Sequence, residues 1–323
     1  MKTAIMPLGI DLGSTRVRVA ACERRRDRTV ALIVVAVRDV PEGCIEPDRI
    51  ADVDVVAAIL DDARRELGVR ERRCVLSLPS QSAALRILQF PRMNEYERRR
   101  AARFEAERFS PWDAKETATL VRAHWVNRHE RLVAVGVARS DAVHARVACV
   151  KRAGYRAVAV DHDACAVQRA FPFADAVLDV GWKRSTLHAF SPGGPISRVL
   201  PGGGADVTRA IASSLSIDVA AAERRKRILG TAGAGDSARD RLAASVGEAV
   251  AALRERLTIR RIAMTGNGAR LAGLAESLET LTGAMVDVPV SDLLRGGQYP
   301  DDVSRAAAPD WTLAASLATW ASR

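Results

Sequence analysis

The sequence has little that binds metal or forms disulfides. Its five cysteines, Cys22, Cys44, Cys74, Cys149 and Cys165, are scattered, odd in number and never spaced as C-x-x-C. That argues against a disulfide framework and against a zinc site. The five histidines show no metal spacing, since His124 and His129 are five residues apart and miss one helical face. Aromatics make up only 4% of the chain. Few rings are therefore available to stack on bases, and the basic runs Arg24–Arg26 and Arg98–Arg100 are interleaved with Glu and Asp. The net charge of +10 thus points to an acidic partner or anionic headgroups, and a nucleic-acid partner is not expected. No apolar run reaches the roughly 18–20 residues of a membrane helix, so no direct membrane span is expected. The opening Met1–Ile10 is too short an apolar stretch for a signal peptide. A cytoplasmic protein is expected. No G-x-x-x-x-G-K-[ST] loop and no G-x-G-x-x-G fingerprint occurs.

With 48% hydrophobic and 27% charged residues over 323 positions, the composition is that of a folded globular chain. Three strands are predicted at Ile5–Leu12, Arg16–Cys22 and Val30–Val37. Val55, Val56, Ile59, Leu60, Ala63 and Leu67 then recur at helical spacing. A short apolar strand follows at Cys74–Leu78. Ala84–Phe90 is extended, and Asn94 with Glu97 forms a capping box opening a charged helix that Pro111 stops. Two strands, a helix over 140–153 and the strand Tyr155–Val160 complete what reads as a small α/β insert. The opening pattern then returns, with strands at Ala176–Val180, Thr186–Phe190 and Ile196–Leu200, three helices, and the strand Arg261–Met264. Strand triplets followed by helices, twice over, indicate an internally duplicated α/β fold.

Four loops carry chemistry. Asp11-Leu12-Gly13 and Asp179-Val180-Gly181 each lie between two strands. A glycine there lets backbone N–H groups approach a phosphate, and a carboxylate two residues earlier can hold Mg²⁺ through water. One D-x-G is an ordinary turn, but two at matching places in a duplicated fold are a pattern. Thr265-Gly266-Asn267-Gly268-Ala269-Arg270 ends a strand, where ligands sit in parallel α/β sheets. Gly202-Gly203-Gly204 precedes a helix whose N-terminus suits an anion.

Together these residues resemble the actin-like ATPase superfamily, and within it the PilM family. Asp11-Leu12-Gly13-Ser14 resembles the first phosphate motif, Asp179-Val180-Gly181 the second, and Thr265–Arg270 the adenosine motif. The runs Phe90–Glu95 and Ala102–Phe109 before Pro111, and Val158–Asp161 before a helix, resemble PilM in particular. The resemblance implies an α/β, duplicated actin-like (ribonuclease H-like) two-lobe fold. Residues 1–81, 162–175 and the C-terminal helix 311–323 would form the first lobe, 82–161 an inserted subdomain, and 176–310 the second lobe. It also implies an ATP-binding scaffold at the cytoplasmic face of a type IV pilus machine. Such a scaffold grips the N-terminal cytoplasmic tail of a PilN-type inner-membrane protein and works beside other pilus assembly proteins.

Carried over by residue, the resemblance puts Asp11, Gly13, Ser14, Thr15 and Arg18 on the phosphates and Mg²⁺. Arg18 stands where the family usually has Lys. Asp179 and Gly181 form the opposite phosphate wall, with Asp179 a second water-mediated Mg²⁺ holder. Gly203 and Gly204 match a family Gly-Gly turn, and Glu223 and Lys226 reach the ribose and base. Gly266, Asn267, Gly268 and Arg270 back the adenine, and Asp161 polarises a water. Trp182, Lys183 and Asn267 depart from the usual small residues, which implies weak hydrolysis at most. The other readings are an FtsA-like division filament, a nucleotide-degenerate scaffold of a type II secretion platform, and a sugar kinase. The first two classes continue into membrane-associated segments, and no sugar-kinase motif is present.

Overall fold

The computed structural model describes residues 4–26, 30–46, 48–125, 130–290 and 308–320. The chain opens with β1 (Ala4–Ile5), β2 (Leu8–Leu12), β3 (Arg16–Arg24) and β4 (Val30–Asp39). Pro7 separates β1 from β2, where a single strand was expected, because proline has no N–H for the ladder. Helix α1 (Val53–Leu67) follows, capped by the Asp52 carboxylate, which accepts from the Val55 N–H at 2.9 Å. Its buried stripe, Val56, Leu60, Ala63 and Leu67, lies on the first core. Strand β5 (Arg73–Leu78) then runs parallel to β2.

The next elements form a separate three-stranded sheet. Strands β6 (Ala83–Pro91), β7 (Thr117–Trp125) and β8 (Glu130–Arg139) lie in the order β6-β8-β7. Helix α2 (Glu95–Phe109) covers one face through Ala102 and Ala106 on Val133, Val135 and Val137. The capping box at Asn94 and Glu97 is present as expected. Helix α3 (Ser140–Arg152) and strand β9 (Arg156–His162) fall within the stretch expected to be insert, but they are built into the first sheet. β9 pairs with β5, and α3 packs with α1 on the same core. The separate sheet and its helix therefore span 83–139. Strand pairing, invisible to local periodicity, makes that distinction.

After α4 (Asp163–Ala170) the opening topology recurs in β10 (Ala176–Val180), β11 (Arg184–Ser191) and β12 (Gly194–Pro201). Helices α5 (Gly204–Leu215), α6 (Val219–Leu229) and α7 (Asp236–Arg254) lead to β13 (Arg261–Thr265). Then come α8 (Leu274–Thr282), β14 (Met285–Asp287) and α9 (Ala308–Ala318). The sheet orders are β4-β3-β2-β5-β9 and β12-β11-β10-β13-β14. In both, the first three strands are antiparallel and the last two parallel. The duplication read from the sequence is thus repeated strand for strand.

Helix α9 returns to the first sheet. Trp311, Ala314, Ala315 and Ala318 pack on Ala20, Cys22 and Leu32. Alanines allow the helix so near β2 that a Cβ on Gly9 would sit 1.8 Å from the Ala314 carbonyl oxygen. The same helix reaches the second half, because the Pro309 carbonyl accepts from the Gly266 N–H at 3.2 Å and the Thr265 hydroxyl at 3.0 Å. Since the obstacle at Gly9 is backbone, it cannot rotate away, and Gly9→Ala should cost at least about 3 kcal/mol. Urea denaturation checks this. A loss under about 1 kcal/mol would show that α9 can lift off without consequence.

Candidate functional site

The two D-x-G turns have one geometry. In the first, the Gly13 N–H donates to the Arg16 carbonyl at 3.0 Å, and in the second the Gly181 N–H donates to the Arg184 carbonyl at 3.0 Å. A Cβ on either glycine would press on that same carbonyl, at 2.9 and 2.8 Å. The strand register explains a difference between them. Asp11 lies opposite Arg18, whose Nη1 donates to the carboxylate at 3.1 Å. Asp179 lies opposite Thr186, and the cations that act on it are Arg18 and, from its own hairpin, Arg184, which do not outweigh its burial. Ser14 and Thr15 occupy the first turn where Trp182 and Lys183 occupy the second.

Fifteen of the sixteen residues expected at the site line one cleft of about 590 Å³ between the two halves. They include Asp11, Gly13, Ser14, Thr15 and Arg18 from one side, and Asp179, Gly181, Gly203, Gly204, Glu223 and Lys226 from the other. Gly266, Asn267, Gly268 and Arg270 complete the floor. Gly266 has φ +81°, and a Cβ there would meet Asp179 Oδ1 at 2.4 Å, so this loop lies directly on the second hairpin. The loop forms a single 3₁₀ turn over Asn267–Arg270, and α8 follows it. With its NH₂ facing Asp310, the Asn267 amide donates to that carboxylate at 2.5 Å and accepts from Arg18 Nη2 at 3.3 Å.

The N-terminus of α5 is not the open anion site expected from the glycine run. The Gly204 N–H donates to the Gly181 carbonyl at 2.9 Å and the Ala205 N–H to the Trp182 carbonyl at 2.8 Å. The Gly203 N–H is taken by the Asp206 carboxylate at 3.0 Å. These amides fasten the second hairpin to α5. Lys226 braces the same wall. Its Nζ donates to the Gly204 carbonyl at 2.9 Å, pairs with Glu223 at 2.7 Å and lies 4.9 Å from the Trp182 ring centroid.

Asp161 lies outside the cleft. Arg169 holds its carboxylate at 2.6 Å, which neutralises it away from the expected water-polarising place. The carboxylate this segment sends into the cleft is Asp163, two residues on. The first helical residue of α4 looks like an ordinary helix-start Asp, so only the direction of β9 distinguishes it. Ser80 donates to Asp163 through its hydroxyl at 2.7 Å and its N–H at 3.1 Å, and His162 Nδ1 lies 3.0 Å away. Arg146, Arg184 and Asp310 also line the cleft and carried no sequence signal. Lys183, one of the noted departures, pairs with Glu46 of the first half at 3.2 Å, which bridges the cleft mouth.

Burial sets the electrostatics. Asp179 is pushed up to about 7, by burial first and then by the charges of Asp11 and Asp163. Burial also raises Asp11, against the opposing pull of Arg18. Asp163 falls below the usual carboxylate range although burial opposes this, because His188, His162 and Ser80 outweigh it. Burial takes His188 down to about 4. Burial disfavours the His162 cation too, but the Asp163 hydrogen bond and charge win and raise its pKa.

Comparison with known proteins follows this geometry. The family model described as type IV pilus assembly protein PilM matches residues 9–319. No curated protein matches. A solved PilM–PilN type IV pilus biogenesis complex is 24% identical and superposes with a TM-score of 0.82, over 98% of this chain and 99% of that one. The ethanolamine utilization protein EutJ from Carboxydothermus hydrogenoformans is 15% identical, with a TM-score of 0.65 over 98% of this chain and 90% of that one. A non-polymerising MamK bound to AMPPNP is 12% identical, with a TM-score of 0.54 over the full length of both chains. These likenesses establish the actin-like two-lobe fold. With the family model spanning nearly the whole sequence, the chain belongs to the PilM family of type IV pilus assembly proteins.

Proposed function

We propose that the protein is an ATP–Mg²⁺-binding scaffold at the cytoplasmic face of a type IV pilus machine, whose small sheet grips the tail of a PilN-type inner-membrane protein. The observation that carries this is the pair of equivalent D-x-G turns with their half-buried carboxylates facing one cleft. The residues fit the group. Both carboxylates are hard oxygen donors, and the glycines leave clearances that a Cβ would fill. Among the described residues no three metal-ligating side chains cluster, so Asp11 and Asp179 would share Mg²⁺ with phosphate oxygens and water. A solved relative of this fold binds AMPPNP. Bound ATP–Mg²⁺ would neutralise these carboxylates and bridge the halves.

The chain's own residues divide the work. Ser14 and Thr15 bind phosphate with hydroxyls and turn amides. Glu223 and Lys226 form the wall toward the ribose, and Asn267 and Arg270 the wall toward the base. Asp163 orients a water. A carboxylate this acidic is a poor proton acceptor, so turnover is slow, well under about 10 per second. For the partner, the small sheet offers β7 as an open edge and a groove of about 260 Å³ between β7 and α2, lined by Arg103, Glu107, Ser110, Thr117 and Thr119. A peptide could add a strand there. Tyr96 and Phe104 stand exposed on the outer face of α2, while Phe109 packs inward with Arg86 over its ring.

The linkage at Asp179 gives the first test. Its folded pKa is raised, so the stability tied to its proton is full near pH 4 and lost as pH rises through about 7. Asp179→Asn should therefore melt higher than wild type at pH 8 without ligand, by on the order of 1–3 kcal/mol, and match it near pH 4. The same variant should lose the thermal shift given by ATP–Mg²⁺. A full shift in the variant would remove Asp179 from the site. In phosphate-release assays Asp163→Asn should lower the rate at least tenfold and Asp161→Asn leave it unchanged; the reverse would restore Asp161 as the water-orienting group. Finally, a PilN-type tail peptide should bind with modest salt dependence. Tight DNA binding that weakens about a thousandfold between 50 and 200 mM salt, with no peptide signal, would sink the scaffold reading.

A further inference from the structure

Helix α3 carries an arginine where its packing calls for an apolar residue. Ala142, Arg146, Cys149 and Val150 share its buried face, and Arg146 is 2% exposed. Its Nη1 donates to the Ala142 carbonyl at 3.2 Å, and its Nε has no partner among the described residues. The side chain lines the cleft at the end that holds Asp11 and Asp163. A buried guanidinium without a paired anion is strongly unfavourable, while a fork of N–H donors suits a phosphoryl group in geometry and charge. Burial lowers its pKa only to about 10, so it stays cationic at neutral pH.

We infer that Arg146 is a recognition residue for the terminal phosphate, selecting a nucleoside triphosphate over the diphosphate. This rests on the nucleotide reading above. The placement supports the terminal phosphate over the inner ones. Arg146 sits with Asp163, the carboxylate placed to orient a water, whereas Glu223 and Lys226 of α6 and Trp182 of the second hairpin form the opposite wall. Arg146 feels the charges of Asp11 and Asp163 without an ion pair to either among the described residues, which leaves space for an anion between them. Helix α3 also begins where β8 of the small sheet ends, at Arg139–Ser140. A residue that senses the terminal phosphate is thus one helix away from the proposed partner groove.

The test is calorimetric titration of the full chain with AMPPNP–Mg²⁺ and with ADP–Mg²⁺, in wild type, Arg146→Gln and Arg146→Lys. Losing a charge-assisted phosphate contact should weaken AMPPNP about 10- to 100-fold in Arg146→Gln and change ADP by no more than about twofold. Arg146→Lys, which keeps the charge and loses the fork, should fall between. Equal weakening of both nucleotides would make Arg146 a structural residue and overturn the inference, as would unchanged AMPPNP affinity. If Arg146→Gln does not fold, Arg146→Lys decides: wild-type selectivity in that variant overturns the inference. Wild type that binds neither nucleotide would overturn the nucleotide reading itself.

Discussion

The desolvation of Asp11 and Asp179, which face one cleft, is the constraint on which that cleft depends. Each carboxylate lies at the end of a central strand, β2 or β10, and each is half-buried. Burial raises both pKa values, the Asp11 charge adds to it at Asp179, and Arg18 opposes it more strongly at Asp11, to which it donates directly. Arg18 stands across the register from Asp11, and Thr186 across from Asp179, so the cost falls on Asp179. Without a ligand the protein carries a carboxyl that is half-protonated near neutral pH. A site built for a hydrated divalent cation and phosphate has this character, because the cation removes the penalty that the empty geometry imposes.

The rest of the architecture holds that geometry against relaxation. Helix α9 presses on β2 so tightly that only glycine fits at position 9, and its first turn accepts hydrogen bonds from the end of β13. The α5 amides tie down the Gly181 and Trp182 carbonyls, and Gly266 lets the third loop touch Asp179. Lys183 and Glu46 join the halves at the cleft mouth. The small sheet touches the second half as well, since the Ile87 N–H donates to the Gly193 carbonyl at 2.8 Å. Contacts from both halves therefore converge on the cleft, and the small sheet is tied to the second half through β6, the edge opposite the proposed partner groove.

Much of this was legible in the sequence because it is local. Strand triplets, the Asn94–Glu97 cap and the apolar stripe of α1 depend on neighbours a few residues apart, and the D-x-G turns repeat with the fold. What escaped reading is long-range. The allocation of β9 to the first sheet follows from pairing with β5, some eighty residues earlier. Which of Asp161 and Asp163 lines the cleft turns on which way a strand end points, and Arg169, eight residues beyond Asp161, pairs with it away from the cleft. The glycine run before α5 looked like an anion site because its amides' partners, the hairpin carbonyls, lie on another strand. Arg146 looked like one more surface arginine in an arginine-rich chain, and only burial distinguishes it.

In the proposed complex one nucleotide engages both duplicated hairpins at once. Amide hydrogen exchange of the full chain, with and without AMPPNP–Mg²⁺, tests it most directly. Exchange should slow in both turns, residues 13–16 and 181–184, with matching nucleotide dependence. Protection confined to one hairpin, or absent from both while nucleotide is bound, would contradict it.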